Sequence, residues 1–280
     1  MNITFYGVRG STPVSGEDFI ILGGHTSCVY VCSEKGDSLI LDSGTGIVAL
    51  GKKLMKTSDD INILLTHNHW DHIQGFPYFL PIYQKDRAIS IVAGNVDFDD
   101  KDAILTQMSG STHPVKYQDL PSNIQLNTEL SKQKSFSLAS FEITTQPLSH
   151  PDGGTAYCLY ADNQKVAYVT DNELSPIKPA ITSWQAWLEF IEQADVLIHD
   201  AQYLETDMPL KQGWGHSTVE QVIELALQAK VKRLYFISHD PERSDQELIT
   251  LEATLRAQYQ DQLVIEFARE GTQVELSNIL

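Results

Sequence analysis

His67-Asn68-His69-Trp70-Asp71-His72 puts three imidazoles and a carboxylate within six residues, directly after the apolar run at 61–66. Such groups compete for protons and water and have no reason to crowd unless something holds them. They are the donors that Zn²⁺, Mn²⁺ or Fe²⁺ accept. His67 and His69, two apart, project to one side of an extended loop, and Asp71 and His72 then turn toward a second ion. The run before them reads as a buried strand. A rigid strand aims the loop that follows it, so the chain must fold with a sheet edge at this loop.

Three further residues stand at the ends of predicted strands. His150 follows the strand at 141–146, Asp171 the strand at 165–170, and His239 the strand at 233–237. Each is weak alone, because a single loop histidine is more often a hydrogen-bonded structural group. Their shared placement is what a site along one edge of two packed sheets requires.

The remaining pattern extends that picture. Strands are predicted at 2–6, 27–32, 38–42, 156–161, 196–199 and 263–268, and helices at 47–56, 184–194, 218–230 and 245–259. A strand-rich first part passes into β-α alternation, without a solenoid repeat or low-complexity linker. That order predicts an α/β chain built as a four-layer αββα sandwich of two mixed β-sheets. We expect a single domain over 1–280, with the less regular segment 95–134 and its acidic run Asp97, Asp99, Asp100 and Asp102 as a cap over the site.

Composition bears on partners. The 37 Asp and Glu against 20 Lys and Arg give a formal charge of −17. Such a chain has no general attraction for a polyanion, so a nucleic-acid polymer is not expected as a partner. Cys28, Cys32 and Cys158 form neither a paired framework nor a thiolate site, and read as buried thiols. No secretory leader or apolar run of membrane length is read, which predicts a cytoplasmic protein.

His-Asn-His-Trp-Asp-His resembles the HxHxDH signature of the metallo-β-lactamase superfamily. Pro147-Leu148-Ser149-His150, Val169-Thr170-Asp171 and Ser238-His239-Asp240-Pro241 resemble its later metal motifs. Gly213-Trp214-Gly215-His216-Ser217-Thr218 is similar to the GHST segment of the ribonuclease-Z-like and phosphodiesterase-like branch, and the likeness runs from Val8-Arg9-Gly10 to Asp245. The resemblance implies the metallo-β-lactamase fold and two divalent ions: zinc first, with manganese or iron also fitting. It implies one ion on His67, His69 and His150, a second on Asp71, His72 and His239, and Asp171 bridging them.

His216 precedes the predicted helix at 218–230, where Ser217 or Thr218 can cap the first turn. A helix N-terminus is a natural anion site. The resemblance gives His216 a role on a phosphate oxygen or the leaving alkoxide, supported by Asp200, although the branch usually carries Glu there. Asp71 is expected to orient or deprotonate the attacking water. Ser217, Arg9 and His25 are further candidates for substrate contact. Arg9 can equally pair with a carboxylate, and His25 can equally pack in its loop. His113 would line the pocket if its segment is a cap, and His199 reads as structural.

The resulting expectation is a binuclear phosphodiesterase that attacks a small or cyclic phosphodiester with a metal-bridging hydroxide, as a monomer or homodimer. Three alternatives stand beside it. One is a lactonase or thioester hydrolase, and another is an endonuclease of the tRNA 3′-end type, which the acidic composition disfavours. The third is a di-iron redox or sensor protein, whose flavodiiron relatives place Glu where this chain has His69.

Overall fold

The computed structural model describes residues 1–94, 102–177 and 179–276. In chain order it forms β1 (Asn2–Gly7), β2 (Cys28–Cys32), β3 (Ser38–Leu41), α1 (Ile47–Leu54), β4 (Ile61–Leu64), α2 (Trp70–Ile73), β5 (Ala88–Val92), α3 (Ala103–Thr106), β6 (Asn123–Asn127), β7 (Ser135–Leu138), β8 (Phe141–Pro147), β9 (Thr155–Ala161) and β10 (Gln164–Val169). There follow α4 (Trp184–Ile191), β11 (Val196–Asp200), α5 (Val219–Gln228), β12 (Arg233–Ile237), α6 (Asp245–Tyr259), β13 (Val264–Phe267) and β14 (Gln273–Glu275).

Side chains alternate across a strand, so each strand serves two layers. In β10, Val166 and Tyr168 enter the core between the sheets, whereas Ala167 and Val169 face the core under α4, α5 and α6. In β3, Leu39 and Leu41 face inward while Ile40 joins Leu50 of α1 in the core on the other outer face. Both faces of these strands are buried, which is why they read as continuous apolar runs. The sheets run β14-β1-β2-β3-β4-β5-β6 and β13-β12-β11-β10-β9-β8-β7. Two mixed seven-stranded sheets carrying helices outside are the expected αββα sandwich.

β3 and β4 pair in parallel, as do β10, β11 and β12. β8 runs with β10, because each pairs antiparallel with β9. The C-terminal ends of these strands therefore reach one edge, and the candidate residues leave from them. Val8 to Gly10 stitches the sheets together there, since Gly10 N–H donates to the His239 carbonyl at 3.0 Å and His239 N–H to the Val8 carbonyl at 2.9 Å.

The structure differs from expectation in particulars. β4 stops at Leu64 because the Thr66 N–H donates to the Asp42 carboxylate (2.8 Å) instead of to a neighbouring strand. β5, β6, β7 and β14 complete the sheets at or near their edges without having been expected. Of the segment 95–134, residues 95–101, with Asp97, Asp99 and Asp100, lie outside the described residues. The rest supplies α3, which buries Ile104 and Leu105, and β6, which pairs with β5. Among the described residues no helix is long and apolar enough to cross a membrane.

Candidate metal centre

Abrupt corners aim the side chains. Asp42, Asp171 and Ser238 follow β3, β10 and β12 with φ of 61°, 50° and 56°. Left-handed backbone at non-glycine residues is costly and gathers at functional sites. Here it turns each strand end sharply into the edge shared by the sheets.

His67, His69 and His150 bring ligand atoms within 4.8 Å of one another, as do His67, His72 and Asp171. Second partners fix which ring nitrogen points inward. His67 Nδ1 meets Thr66 Oγ1 at 3.0 Å, His72 Nδ1 donates to Asp42 Oδ2 at 3.0 Å, and His150 Nδ1 donates to the Gly215 carbonyl at 2.9 Å. The Nε2 atoms of all three then converge on Asp171 Oδ2, at 3.7, 3.2 and 3.8 Å. Asp171 Oδ1 is occupied separately by the Thr170 and Ser238 hydroxyls, at 2.8 and 3.3 Å. His69 offers Nδ1, 2.9 Å from His150 Nε2, while its Nε2 lies 3.5 Å from Asp152.

Electrostatics makes this a site for a cation. Burial pushes the His67 imidazole well below its usual range, with His72 and His150 adding to the effect. Its Nε2 is buried without a hydrogen-bond partner among the described residues. Leaving such a group unsatisfied is costly, and a metal ion is the partner its lone pair fits. At His72 burial also disfavours charge, but Asp71, Asp171 and Asp42 outweigh it and raise the pKa of the ring well above its usual range. A divalent ion can take the ring proton's place.

The other expected residues are distributed as follows. Asp71 is buried, accepts from Ser11 N–H at 2.8 Å and lies 3.4 Å from His72 Nε2. His239 is not gathered with the cluster: its Nε2 donates to the Ala268 carbonyl at 2.9 Å, and burial pushes its pKa down to about 3. His216 is gathered, forming a third group with His150 and Asp171. Its Nδ1 donates to Asp200 Oδ2 at 3.3 Å, so Asp reaches it despite the short side chain. Thr218, not Ser217, caps α5, in a capping box with Gln221. The Ser217 hydroxyl is spent on Asn172 and Leu174 backbone.

Arg9 is turned into the protein interior. It is fully buried, and its guanidinium is used by Asp245 (2.5 Å) and by the carbonyls of Gly23, Asp240 and Arg243. Pairing with a carboxylate, the alternative left open by the sequence, is what the fold builds. His25 is exposed, with Nδ1 3.3 Å from Thr45 Oγ1. His113 turns Nδ1 to the Val115 carbonyl and packs edge-on to Tyr78. His199 is buried with Nδ1 on the Asp200 carbonyl. Sequence reasoning missed Asp42, which also accepts from the Tyr168 hydroxyl at 2.9 Å, and Glu173, which accepts from Gly213 and Gly215 N–H. A lone Asp closing Leu39-Ile40-Leu41 was the available signal for the first.

Residues 39–239 match the beta-lactamase superfamily domain. Ribonuclease Z of Picrophilus torridus is 22% identical over 90% of this chain and 89% of its own length. Ribonuclease Z of Staphylococcus haemolyticus is 23% identical over 96% and 98%. The solved metallo-beta-lactamase fold protein YhfI of Bacillus subtilis superposes with a TM-score of 0.70 at 18% identity, covering 98% of each chain. These relatives overturn the expectation of a small-molecule partner to the exclusion of nucleic-acid polymers, because near-full-length relatives are named for a ribonuclease. The physical error was to read net charge as local potential. Carboxylates facing a cation site do not repel an approaching phosphate as free surface charges do.

Proposed function

The chain belongs to the beta-lactamase superfamily and is a metal-dependent hydrolase of the metallo-β-lactamase fold, and from that premise we propose that it is a binuclear phosphodiesterase that cleaves RNA. The observation that carries the reading is a proton donor held beside metal donors: His216, backed by Asp200, has a ligand atom within 4.8 Å of those of His150 and Asp171. The relatives named ribonuclease Z support phosphorus over acyl carbon as the reacting centre.

In this reading His67, His69, His150, His72 and Asp171, with Asp71 beside His72, would hold the divalent ions. His239 stands outside that set, its Nε2 donating to the Ala268 carbonyl. When bound, divalent ions, zinc first among them, supply Lewis acidity that activates water and neutralises phosphoryl oxygens. The protein's own groups do the rest. Asp71, anchored by Ser11 N–H, orients the attacking water. With Nδ1–H committed to Asp200, His216 presents Nε2–H to the leaving alkoxide and transfers that proton as the ester bond breaks.

The test is cleavage of an end-labelled RNA strand beside bis-p-nitrophenyl phosphate and a simple lactone. It uses protein of counted metal content, with Asp171→Ala as control. Cleavage of RNA that needs about two ions and disappears in the variant is the expected result. Turnover of the lactone alone would move the chemistry to acyl carbon and overturn the reading. Turnover of the small diester with RNA untouched would keep the phosphodiesterase and remove RNA.

A further inference from the structure

Beside the cluster lies an open hollow of about 850 Å³, lined by His150, Asp152, Pro176, Ile177, Gln212 and Trp214. That volume is in the range of small-ligand sites, roughly 300–1,000 Å³. Its rim is unusually apolar for a solvated surface: Trp214 is 58% exposed, Ile177 72% and Ile181 60%. Contiguous exposed apolar surface next to a polar site marks binding.

The backbone that carries Trp214 is held in place. Gly213 and Gly215 flank it at φ of 86° and 87°, a left-handed backbone suited to glycine. Their N–H groups both donate to the buried Glu173 carboxylate, at 2.8 and 3.2 Å. The Gly215 carbonyl in turn accepts from His150 Nδ1 at 2.9 Å. The same turn thus orients an imidazole of the cluster and carries the indole. Lys211 Nζ lies 4.7 Å from the indole centroid and adds a cation–π restraint. An aromatic side chain carried on a restrained backbone loses less entropy when something stacks on it.

A flat apolar face anchored to the residue beside a phosphate-handling cluster fits a planar group joined to that phosphate. We propose that Trp214 is a specificity-determining residue, the stacking platform for the base of the nucleotide that adjoins the scissile phosphate. This rests on the reading of the site as an RNA phosphodiesterase.

The experiment compares an RNA strand, its cut mapped on the wild type, with the same strand lacking the base on either side of that cut. Stacking of a base on an aromatic side chain is worth about 1–3 kcal/mol. In Trp214→Ala the ratio of kcat/KM for intact over abasic strand is therefore expected to fall about 5- to 150-fold, and Trp214→Phe to recover most of it. A second readout needs no turnover: uridine 5′-monophosphate should quench the fluorescence of the metal-free protein, and Trp214→Ala should abolish the quench although Trp70, Trp184 and Trp187 remain. An unchanged ratio, or equal losses on both strands, would show a merely structural indole and overturn the proposal. Were the wild type to cleave neither strand, the catalytic reading would fall, and the quench alone would decide whether the platform binds a base.

Discussion

His216 shows how a single ring is tuned by what surrounds it. Burial alone would push it toward the neutral form, but Asp171, Asp200 and Asp71 outweigh that and raise its pKa to about 8. A proton donor must hold its proton at working pH, so activity should fall on the alkaline side as the imidazolium loses its proton. Ions bound to Asp171 and Asp71 cancel part of their influence, leaving Asp200 as the negative charge facing Nδ1. Asp200→Asn should accordingly move the alkaline limb of kcat to lower pH, and an unmoved limb would show that Asp200 does not support the imidazolium. His216→Ala should cut the rate by about 10²–10⁴-fold, the range for lost general-acid catalysis. Elemental analysis of that variant should find the metal content retained. Loss of an ion would make His216 a ligand, a role its grouping with His150 and Asp171 also permits.

At the scale of elements, the turn before α5 couples the substrate face to the metal donors. A Cβ on Gly215 would meet His150 Nδ1 at 2.1 Å and Pro151 Cδ at 2.5 Å, on a backbone of φ 87°. Neither neighbour is a flexible chain end, so Gly215→Ala should displace His150 and weaken zinc binding by about 10–100-fold, as loss of a ligand's outer support does. Competition with a chromophoric chelator measures this, and an unaltered affinity would mean the turn does not hold the ligand. The elements that sequence made legible are those with local signals. α6 begins in the capping box Ser244–Glu247 and was expected over the residues it occupies. β6 and β14 carry no such signal: β6 is polar Asn123-Ile124-Gln125-Leu126-Asn127, and β14 is three residues long, so their state comes from β5 and β1 across the sheet. The site divides likewise. His67 to His72 announce themselves by crowding, whereas Asp42 gains its role from His72 and Tyr168, 30 and 126 residues away. For His239 the strand end could be read, but not the ring, whose direction depends on Ala268 in a later strand connection.

For the whole molecule, the two sheets meet at an edge lined by buried Asp42, Asp71 and Asp171 among His67, His72 and His150. Without ions this edge brings together charges that water would otherwise solvate, so metal binding should be a folding force as well as a catalytic one. A ligand at 100 times its Kd stabilises the state that binds it by about 2.7 kcal/mol. For a large domain about 1 kcal/mol moves Tm by roughly 2–4 °C, so chelation should lower Tm by about 5–10 °C and added zinc should restore it. The difference should also depend on pH. In the metal-free protein burial opposes the charged form of His72, but Asp71, Asp171 and Asp42 hold its pKa well above the ordinary value. The stabilisation from that raised pKa is complete below the unfolded value, near 6.5, and is lost as pH rises through the folded one. The metal-bound protein needs the neutral ring and forgoes that contribution, while its ions face less competition from protons as pH rises. Both effects widen the gap between loaded and stripped protein from pH 6 toward pH 8. Thermal melts at each pH, with and without chelator, would measure it; a gap that stayed constant or narrowed would mean that the ions do not replace the His72 proton.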